Sequence, residues 1–226
     1  MNRSRRHIAL FATAIIAVLV IVRVAMARAG EEKVTLPTPA LDARRTTATE
    51  ASAVLAGGCF WGVQAVFQHV KGVKSVVSGY AGGELNAPTY QIVSSGLTGH
   101  AESVKITYDP SKVTYGTLLE VFFSVAHDPT TLNRQGPDHG TQYRSAIFYT
   151  DDEQRTVADA YVRQLTAAHA FRDSIVTQIA PLPAFYPAED YHQDYATTHP
   201  YSPYILINDA PKVARLRKQL PELWRE

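Results

Sequence analysis

The chain has 226 residues, and its hydrophobic fraction of 46% is that of a globular protein with a sizeable core. Its 22 Lys and Arg residues nearly balance its 21 Asp and Glu residues. Residues 1–29 hold five arginines and no acidic residue, so the remainder has 17 basic against 21 acidic residues and a net charge of −4. A mildly acidic domain gives no reason to expect nucleic acid as a partner.

Residues 1–29 have the features of an export signal. Three arginines precede an uncharged run at residues 8–22, whose 15 residues suit the core of a signal peptide and are few for a membrane span. Small residues then offer cleavage after Ala27 or Ala29. The sequence predicts export, with the bacterial periplasm as the simplest destination. The domain is soluble after cleavage or, alternatively, anchored to the inner membrane through residues 8–24.

The next segment has the composition of a linker. Residues 30–52 contain two prolines, several threonines and few large apolar side chains, which predicts a flexible connection. Residues 53–226 contain no repeat and no low-complexity block, and their number suits one catalytic domain.

Strands and helices alternate along residues 53–226. Strands are expected at residues 53–56, 73–80, 104–109, 143–149 and 175–180. Helical spacing of apolar residues predicts helices that contain residues 63–70 and 118–125. Acidic residues at 151–153 mark the start of a third helix that extends to about residue 169, and a short basic helix is expected near residues 213–220. The order β-α-β-β-α-β, followed by α-β, predicts an α+β fold with a mixed sheet and helices on one face.

Cys59 is the single cysteine of the chain, and it lies between a glycine pair and the first helical pattern. That position predicts a sulfur at a helix N-terminus, where free N–H groups and the helix dipole lower a thiol pKa and favour the thiolate. An inert buried cysteine is the alternative for a lone thiol. The bulky Phe60 and Trp61 that follow favour a lined pocket instead.

Nine short blocks spread over residues 53–226 resemble the A-type peptide methionine sulfoxide reductases, which reduce the S epimer of methionine sulfoxide. The first is Gly-Cys-Phe-Trp-Gly at residues 58–62. Eight more follow in the family's order, at residues 79–83, 88–90, 99–102, 108–110, 127–129, 134–136, 138–145 and 188–195. The number of ordered blocks makes the resemblance specific.

The resemblance implies a fold and a reaction. The fold is a ferredoxin-like, two-layer α+β sandwich with long surface loops. In the reaction, the thiolate of Cys59 attacks the sulfoxide sulfur while Glu102, with a pKa raised by desolvation, protonates the oxygen. Methionine leaves, and Cys59 becomes a sulfenic acid.

The resemblance also implies the residues around the reacting atoms. Tyr90 and Tyr143 offer hydroxyl donors to the sulfoxide oxygen. Phe60 and Trp61 form an apolar pocket for the S-methyl group. Asp138 is a polar partner beside the site.

Regeneration of the thiol departs from the pattern of many family members, which carry resolving cysteines near the C-terminus. Residues 197–204 contain none. The sequence therefore predicts that an external thiol resolves the sulfenic acid through a mixed disulfide. A thioredoxin-like protein, a glutaredoxin or a small thiol could serve, and no bound cofactor is expected. The other partners are oxidised proteins or peptides that carry methionine-S-sulfoxide.

Three other readings stay open at this point. A cysteine hydrolase would pair Cys59 with a histidine, and the candidates are His100, His127, His139 and His192. The His-x-Glu sequence at residues 100–102 matches half of a zinc deaminase signature, but the chain lacks the cysteine pair of the other half, so no metal is expected. A binding module for oxidised proteins is the alternative without catalysis.

Overall fold

A computed structural model of the protein describes residues 36–44 and 48–226. The predicted signal or anchor at residues 1–29 lies outside these residues. Within them, no helix combines the length and the apolarity that crossing a membrane requires.

The centre of the fold is a six-stranded mixed sheet, and two further strands form a separate hairpin. The strands are β1 (Ala51–Gly57), β2 (Val73–Ala81), β3 (Ala101–Tyr108), β4 (Arg134–Gln135), β5 (Asp138–His139), β6 (Ser145–Tyr149), β7 (Gln178–Pro181) and β8 (Phe185–Pro187). The strand order in the sheet is β7-β6-β1-β3-β2-β8, and β4 and β5 form the hairpin. Strands β6 and β7 are parallel, and the other neighbours are antiparallel.

Helices and helical turns connect these strands. The α-helices are α1 (Phe60–Gln68), α2 (Tyr90–Val93), α3 (Tyr115–Val121), α4 (Asp152–Ala167), α5 (Tyr195–Thr198) and α6 (Ala210–Gln219). A π-helical turn at Phe122–Ala126 continues α3, and another at Ile205–Asp209 precedes α6. Single 3₁₀ turns lie at Thr141–Tyr143 and Asp190–His192.

The two faces of the sheet carry cores of different size, because side chains alternate between faces along each strand. Ala53 and Leu55 of β1 belong to the larger core, which also contains buried side chains of α1, α3, α4 and α6. Val54 and Ala56 belong to a smaller cluster with Phe148, and no residue of a described helix is among its buried members. The described helices that contribute to a core therefore pack on one face, and the predicted α+β fold with a mixed sheet is confirmed.

Several predicted element boundaries are corrected by the structure. Tyr143 belongs to a 3₁₀ turn, where its N–H donates to the Gly140 carbonyl, and the strand that was expected from residue 143 begins at Ser145. The strand expected at residues 175–180 is Gln178–Pro181. Strands β4, β5 and β8 were not predicted, because two or three residues are too few to show a period.

Part of the predicted flexible linker packs on the domain. Leu36 is 5% exposed and belongs to the larger core. The Tyr161 hydroxyl donates to the Pro37 carbonyl at 3.0 Å, which ties this segment to α4. Residues 36–44 are therefore held by tertiary contacts that a composition rich in Pro and Thr does not reveal.

Asp42 fastens the same segment to the start of α3. Its carboxylate accepts a hydrogen bond from the Gly116 backbone N–H at 2.7 Å and another from the Thr114 hydroxyl. One carboxylate thus satisfies donors in the first turn of a helix, as an N-terminal cap does.

We expect Asp42→Ala to lower the free energy of unfolding by about 1–2 kcal/mol, because it leaves the donors at the start of α3 without their acceptor. Urea denaturation of the two proteins measures the difference. Glu50→Ala is the control, since Glu50 is 62% exposed and forms a 3.6 Å surface ion pair with Lys74. That substitution should cost less than about 0.5 kcal/mol, and equal losses in the two variants would contradict the capping role.

Candidate active site

Two glycines, Gly57 and Gly58, connect strand β1 to Cys59 at the N-terminus of α1. Gly58 has a φ of +89°, and a Cβ there would lie 2.5 Å from the Gln135 side chain. A Cβ on Gly57 would lie 3.0 Å from the His127 Cβ. The turn therefore needs glycine at position 58 and leaves little room for a side chain at position 57. Cys59 follows as the residue before α1, with 8% of its surface exposed.

Glu102 on β3 meets the same helix terminus. Its Oε2 accepts a hydrogen bond from the Phe60 backbone N–H at 3.0 Å, and Phe60 is the first residue of α1. Burial raises the pKa of Glu102 to about 8, the Phe60 N–H opposes that rise, and the charges of Asp138 and Asp209 add to it. The carboxyl is therefore protonated at pH 7 and can act as a proton donor.

The predicted low pKa of Cys59 is overturned by the structure. Burial raises the pKa of the thiol well above its usual value, and the charges of Glu102 and Asp209 raise it further. The Trp61 backbone N–H and the Lys212 ammonium act in the opposite direction, and they do not compensate. Desolvation thus outweighs the helix N-terminus, and Cys59 is a neutral thiol in the absence of substrate.

Tyr90 and Tyr143 lie within electrostatic range of both reacting groups. Tyr90 is the first residue of α2, and Tyr143 ends the turn at Thr141–Tyr143. Burial raises the pKa of each hydroxyl, and the charges that Glu102 and Cys59 carry once they ionise add to the rise. Both tyrosines therefore keep their protons at neutral pH and are available as hydrogen-bond donors.

An aromatic wall continues from the N-terminus of α1. Trp61 stacks on Tyr195 with a centroid distance of 3.8 Å and an interplanar angle of 11°. His192 lies 5.0 Å from the Phe60 ring and 5.8 Å from the Trp61 ring, and it is 2% exposed. Burial lowers the pKa of His192, so its ring is neutral and contributes to an apolar surface.

Asp138 reaches the site together with a residue that the sequence did not single out. The Tyr204 hydroxyl donates a hydrogen bond to the Asp138 carboxylate, and the Tyr204 ring meets Trp61 edge-on at 5.8 Å. Burial raises the pKa of Tyr204, as does the nearby charge of Cys59. Nothing in the sequence distinguishes Tyr204 among the 12 tyrosines, because its segment has no period and its partners are distant along the chain.

The block at residues 188–195 holds the walls of the site in place. The Glu189 carboxylate accepts from the Tyr80 hydroxyl at 2.8 Å and from the Tyr90 backbone N–H at 2.9 Å. The Gln193 side chain accepts from the Ser78 N–H at 2.9 Å and donates to the Ser78 carbonyl at 3.0 Å. These contacts fix His192 between two anchored residues of the block.

The histidine pairing that a cysteine hydrolase requires is not found among residues 36–44 and 48–226. The ring nitrogens of His100 contact the Gly83 N–H and the Leu85 carbonyl, and those of His127 contact the Phe122 carbonyl and the Ser145 hydroxyl. His139 is exposed, and neither ring nitrogen of His192 has a hydrogen-bond partner in the part of the chain that the structure describes. The same residues contain no group of three or more His, Cys, Asp or Glu side chains arranged to hold a metal ion.

Comparison with known protein families agrees with this geometry. Residues 51–223, well over half of the chain, match the family described as peptide methionine sulfoxide reductase. The chain belongs to this family. Its reductase activity follows: the protein is an oxidoreductase that reduces methionine sulfoxide with a thiol as the reductant. With Cys59 as its single cysteine, it is a single-cysteine member.

Individual relatives support the assignment. The peptide methionine sulfoxide reductase MsrA 2 of Mesorhizobium japonicum is 59% identical over 175 residues, which are 77% of this chain and 90% of that protein. Mxr1 of Saccharomyces cerevisiae in its reduced form has a TM-score of 0.61 at 34% identity and covers 70% of this chain and 91% of its own. Methionine sulfoxide reductase A of Corynebacterium diphtheriae has a TM-score of 0.59 at 36% identity, with coverages of 76% and 88%.

We expect the Glu102 carboxyl to stay protonated up to about pH 8. Infrared difference spectra across that pH should show the carbonyl stretch of a carboxylic acid, half lost near pH 8. Glu102→Gln should lack this band and should form methionine roughly 10²- to 10⁴-fold more slowly, because it removes the acid. Glu84→Gln, at an exposed position, is the control. A carboxyl that is already ionised well below pH 7 would contradict the assignment.

Proposed function

We propose that this reductase acts on the S epimer of methionine sulfoxide, both free and within oxidised proteins, and thereby repairs those proteins. The proposal rests on one observation: Cys59 and Glu102 meet at the N-terminus of α1. The Phe60 N–H holds the protonated Glu102 carboxyl at 3.0 Å, directly beside Cys59. The aromatic wall next to them suits an apolar S-methyl group.

The proposed reaction uses each of these groups. The Cys59 sulfur attacks the sulfoxide sulfur while Glu102 delivers its proton to the oxygen, and the thiol proton of Cys59 passes to the Glu102 carboxylate that results. Tyr90 and Tyr143 donate hydrogen bonds to that oxygen, where negative charge would otherwise develop. The sulfur–sulfur bond formed in the attack and the sulfur–oxygen bond of the substrate then break as the oxygen passes to the Cys59 sulfur, which is oxidised by two electrons to a sulfenic acid, while the substrate sulfur is reduced by two electrons to methionine.

We propose Phe60, Trp61 and Asp138 as the residues that orient the substrate. The ring of Trp61 is fixed between Tyr195 and Tyr204, so its face is pre-organised for a methyl group. Asp138 is fixed by its hydrogen bond from Tyr204 and offers an acceptor beside the pocket.

The proposed regeneration needs two external thiols, because the chain has no second cysteine. The first thiol attacks the sulfenic acid of Cys59, a mixed disulfide forms and water leaves. The second thiol attacks the mixed disulfide, releases Cys59 and leaves as a disulfide with the first. A thioredoxin-like protein, a glutaredoxin or a small thiol would satisfy this chemistry.

We also propose that the core is a ferredoxin-like two-layer sandwich. The central strand order β6-β1-β3-β2 supports the proposal. So do the two helices that connect these strands, α1 between β1 and β2 and α3 between β3 and β6, which pack on the face of the larger core. This topology places β1 and β3 side by side, so Cys59 and Glu102 come from neighbouring central strands.

A single-turnover assay tests the reaction. The protein is mixed, without any thiol, with an excess of S or R methionine sulfoxide. We expect about one methionine per chain from the S epimer and none from the R epimer, together with one sulfenic acid that a trapping reagent places on Cys59. The folded Cys59→Ser variant should form none. Wild-type protein that forms no methionine from either epimer would refute the proposal.

We further propose that residues 1–29 export the protein to the bacterial periplasm, either as a cleaved signal or as an inner-membrane anchor through residues 8–24. Fractionation of the native host followed by N-terminal sequencing tests this. Cleavage predicts periplasmic protein that begins at residue 28 or 30, and anchoring predicts uncleaved protein in the membrane fraction. Deletion of residues 1–29 should retain the chain in the cytoplasm. Uncleaved wild-type chain in the cytoplasm would contradict export.

A further inference from the structure

An ion pair in the C-terminal segment is buried beside the site. Asp209 is 0% exposed, and its Oδ1 accepts a hydrogen bond from the Lys212 ammonium at 3.2 Å. The second oxygen, Oδ2, is buried without a hydrogen-bond partner among the described residues. Only 18% of the Lys212 side chain is exposed. A buried carboxylate that is only half satisfied reduces stability, so its presence requires an explanation.

Gly62 brings this pair close to Cys59. A Cβ on Gly62 would overlap Asp209 Oδ1 and would lie 2.9 Å from the Lys212 ammonium nitrogen. Gly62 is the third residue of α1, three positions after Cys59. The glycine thus allows the ion pair to pack directly against the first turn of the helix that carries the thiol.

The charges that act on the Cys59 sulfur are mostly unfavourable to a thiolate. Glu102 on β3 and Asp209 before α6 both oppose ionisation, and Lys212 is the cation among the described residues that favours it. The hydroxyls of Tyr90, Tyr143 and Tyr204, which belong to other elements, also interact electrostatically with Cys59. Lys212 is therefore the charged side chain suited to stabilise a thiolate on Cys59.

We propose that the Asp209–Lys212 pair serves the recycling half of the reaction, in which Lys212 stabilises the Cys59 thiolate as it leaves the mixed disulfide. Asp209 is the positioning residue that holds the ammonium against α1. This inference rests on the proposed function, since it requires regeneration by external thiols.

The step balances as an ordinary thiol–disulfide exchange. The thiolate of the second external thiol attacks the external sulfur of the mixed disulfide, and a new disulfide bond forms between the two external sulfurs. The bond to Cys59 breaks, and its electron pair passes to the Cys59 sulfur, which later takes the proton that the second thiol lost. A leaving thiol departs faster when its thiolate is more stable, and a buried thiol without a nearby cation leaves slowly.

The test measures release of Cys59 from a mixed disulfide with glutathione. Glutathione disulfide loads Cys59 directly, reduced glutathione then releases it, and intact mass follows the loss of the adduct. We expect Lys212→Met to slow release about tenfold and to raise the pKa of Cys59 in an absorbance titration of the thiolate. Lys212→Arg should keep most of the rate. Arg215→Met, which removes an exposed charge from the same helix, is the matched control.

Asp209→Asn separates an electrostatic role from a structural one. It breaks the ion pair as Lys212→Met does, but it keeps an acceptor for Lys212 and removes a negative charge. We therefore expect it to lower the pKa of Cys59 and not to slow release. Equal slowing in Asp209→Asn and Lys212→Met, or wild-type rates in Lys212→Met, would overturn the proposal. Because loading uses no sulfoxide, this outcome is independent of the methionine assay, which alone decides the proposed function.

Discussion

A hydrogen bond from the Phe60 amide to the buried Glu102 carboxyl joins strand β3 to the helix that begins after Cys59, and the site depends on it. It places the Glu102 carboxyl beside Cys59 and keeps both groups out of water. Desolvation then sets both protonation states, with a pKa of about 8 for Glu102 and a neutral thiol at Cys59. A transferable proton is therefore held beside Cys59 before any substrate arrives.

Much of the fold was predictable, because β3 alternates with a period of two and α1 and α3 show apolar residues at helical spacing. A short apolar run indicated β1, and acidic residues at its start indicated α4. Strand β8 and the ordered part of the linker were missed because they owe their structure to distant partners, whereas the β4–β5 hairpin is local but too short to show a period. Strand β8 has three residues and forms by pairing with Gly79–Ala81 of β2, more than a hundred positions earlier. Residues 36–44 are ordered by contacts such as Asp42 to Gly116, and a Pro- and Thr-rich composition gives no sign of them.

The sequence blocks predicted which residues meet at the site, whereas the argument from the helix N-terminus did not predict the pKa of Cys59. The blocks of sequence identified the residues that the structure brings together, including Cys59 and Glu102, and burial of a carboxyl correctly implied a raised pKa. The predicted low pKa of the Cys59 thiol was wrong, because the helix N-terminus is visible in the sequence while the burial of the thiol and the carboxylates packed near it are not. Tyr204 was missed for the same reason, since only tertiary contacts join it to Asp138.

Gln193 also affects the edge of the central sheet, in addition to its contacts at the site. Its side-chain amide forms hydrogen bonds with both the N–H and the carbonyl of Ser78. Ser78 directly precedes the three residues at the end of β2 that pair with β8. Gln193 thus takes the place of a neighbouring strand where β8 stops. An unpaired strand edge is a template for joining another molecule, and native proteins cover such edges. The block that carries His192 to the active site therefore also protects the sheet against edge-to-edge aggregation.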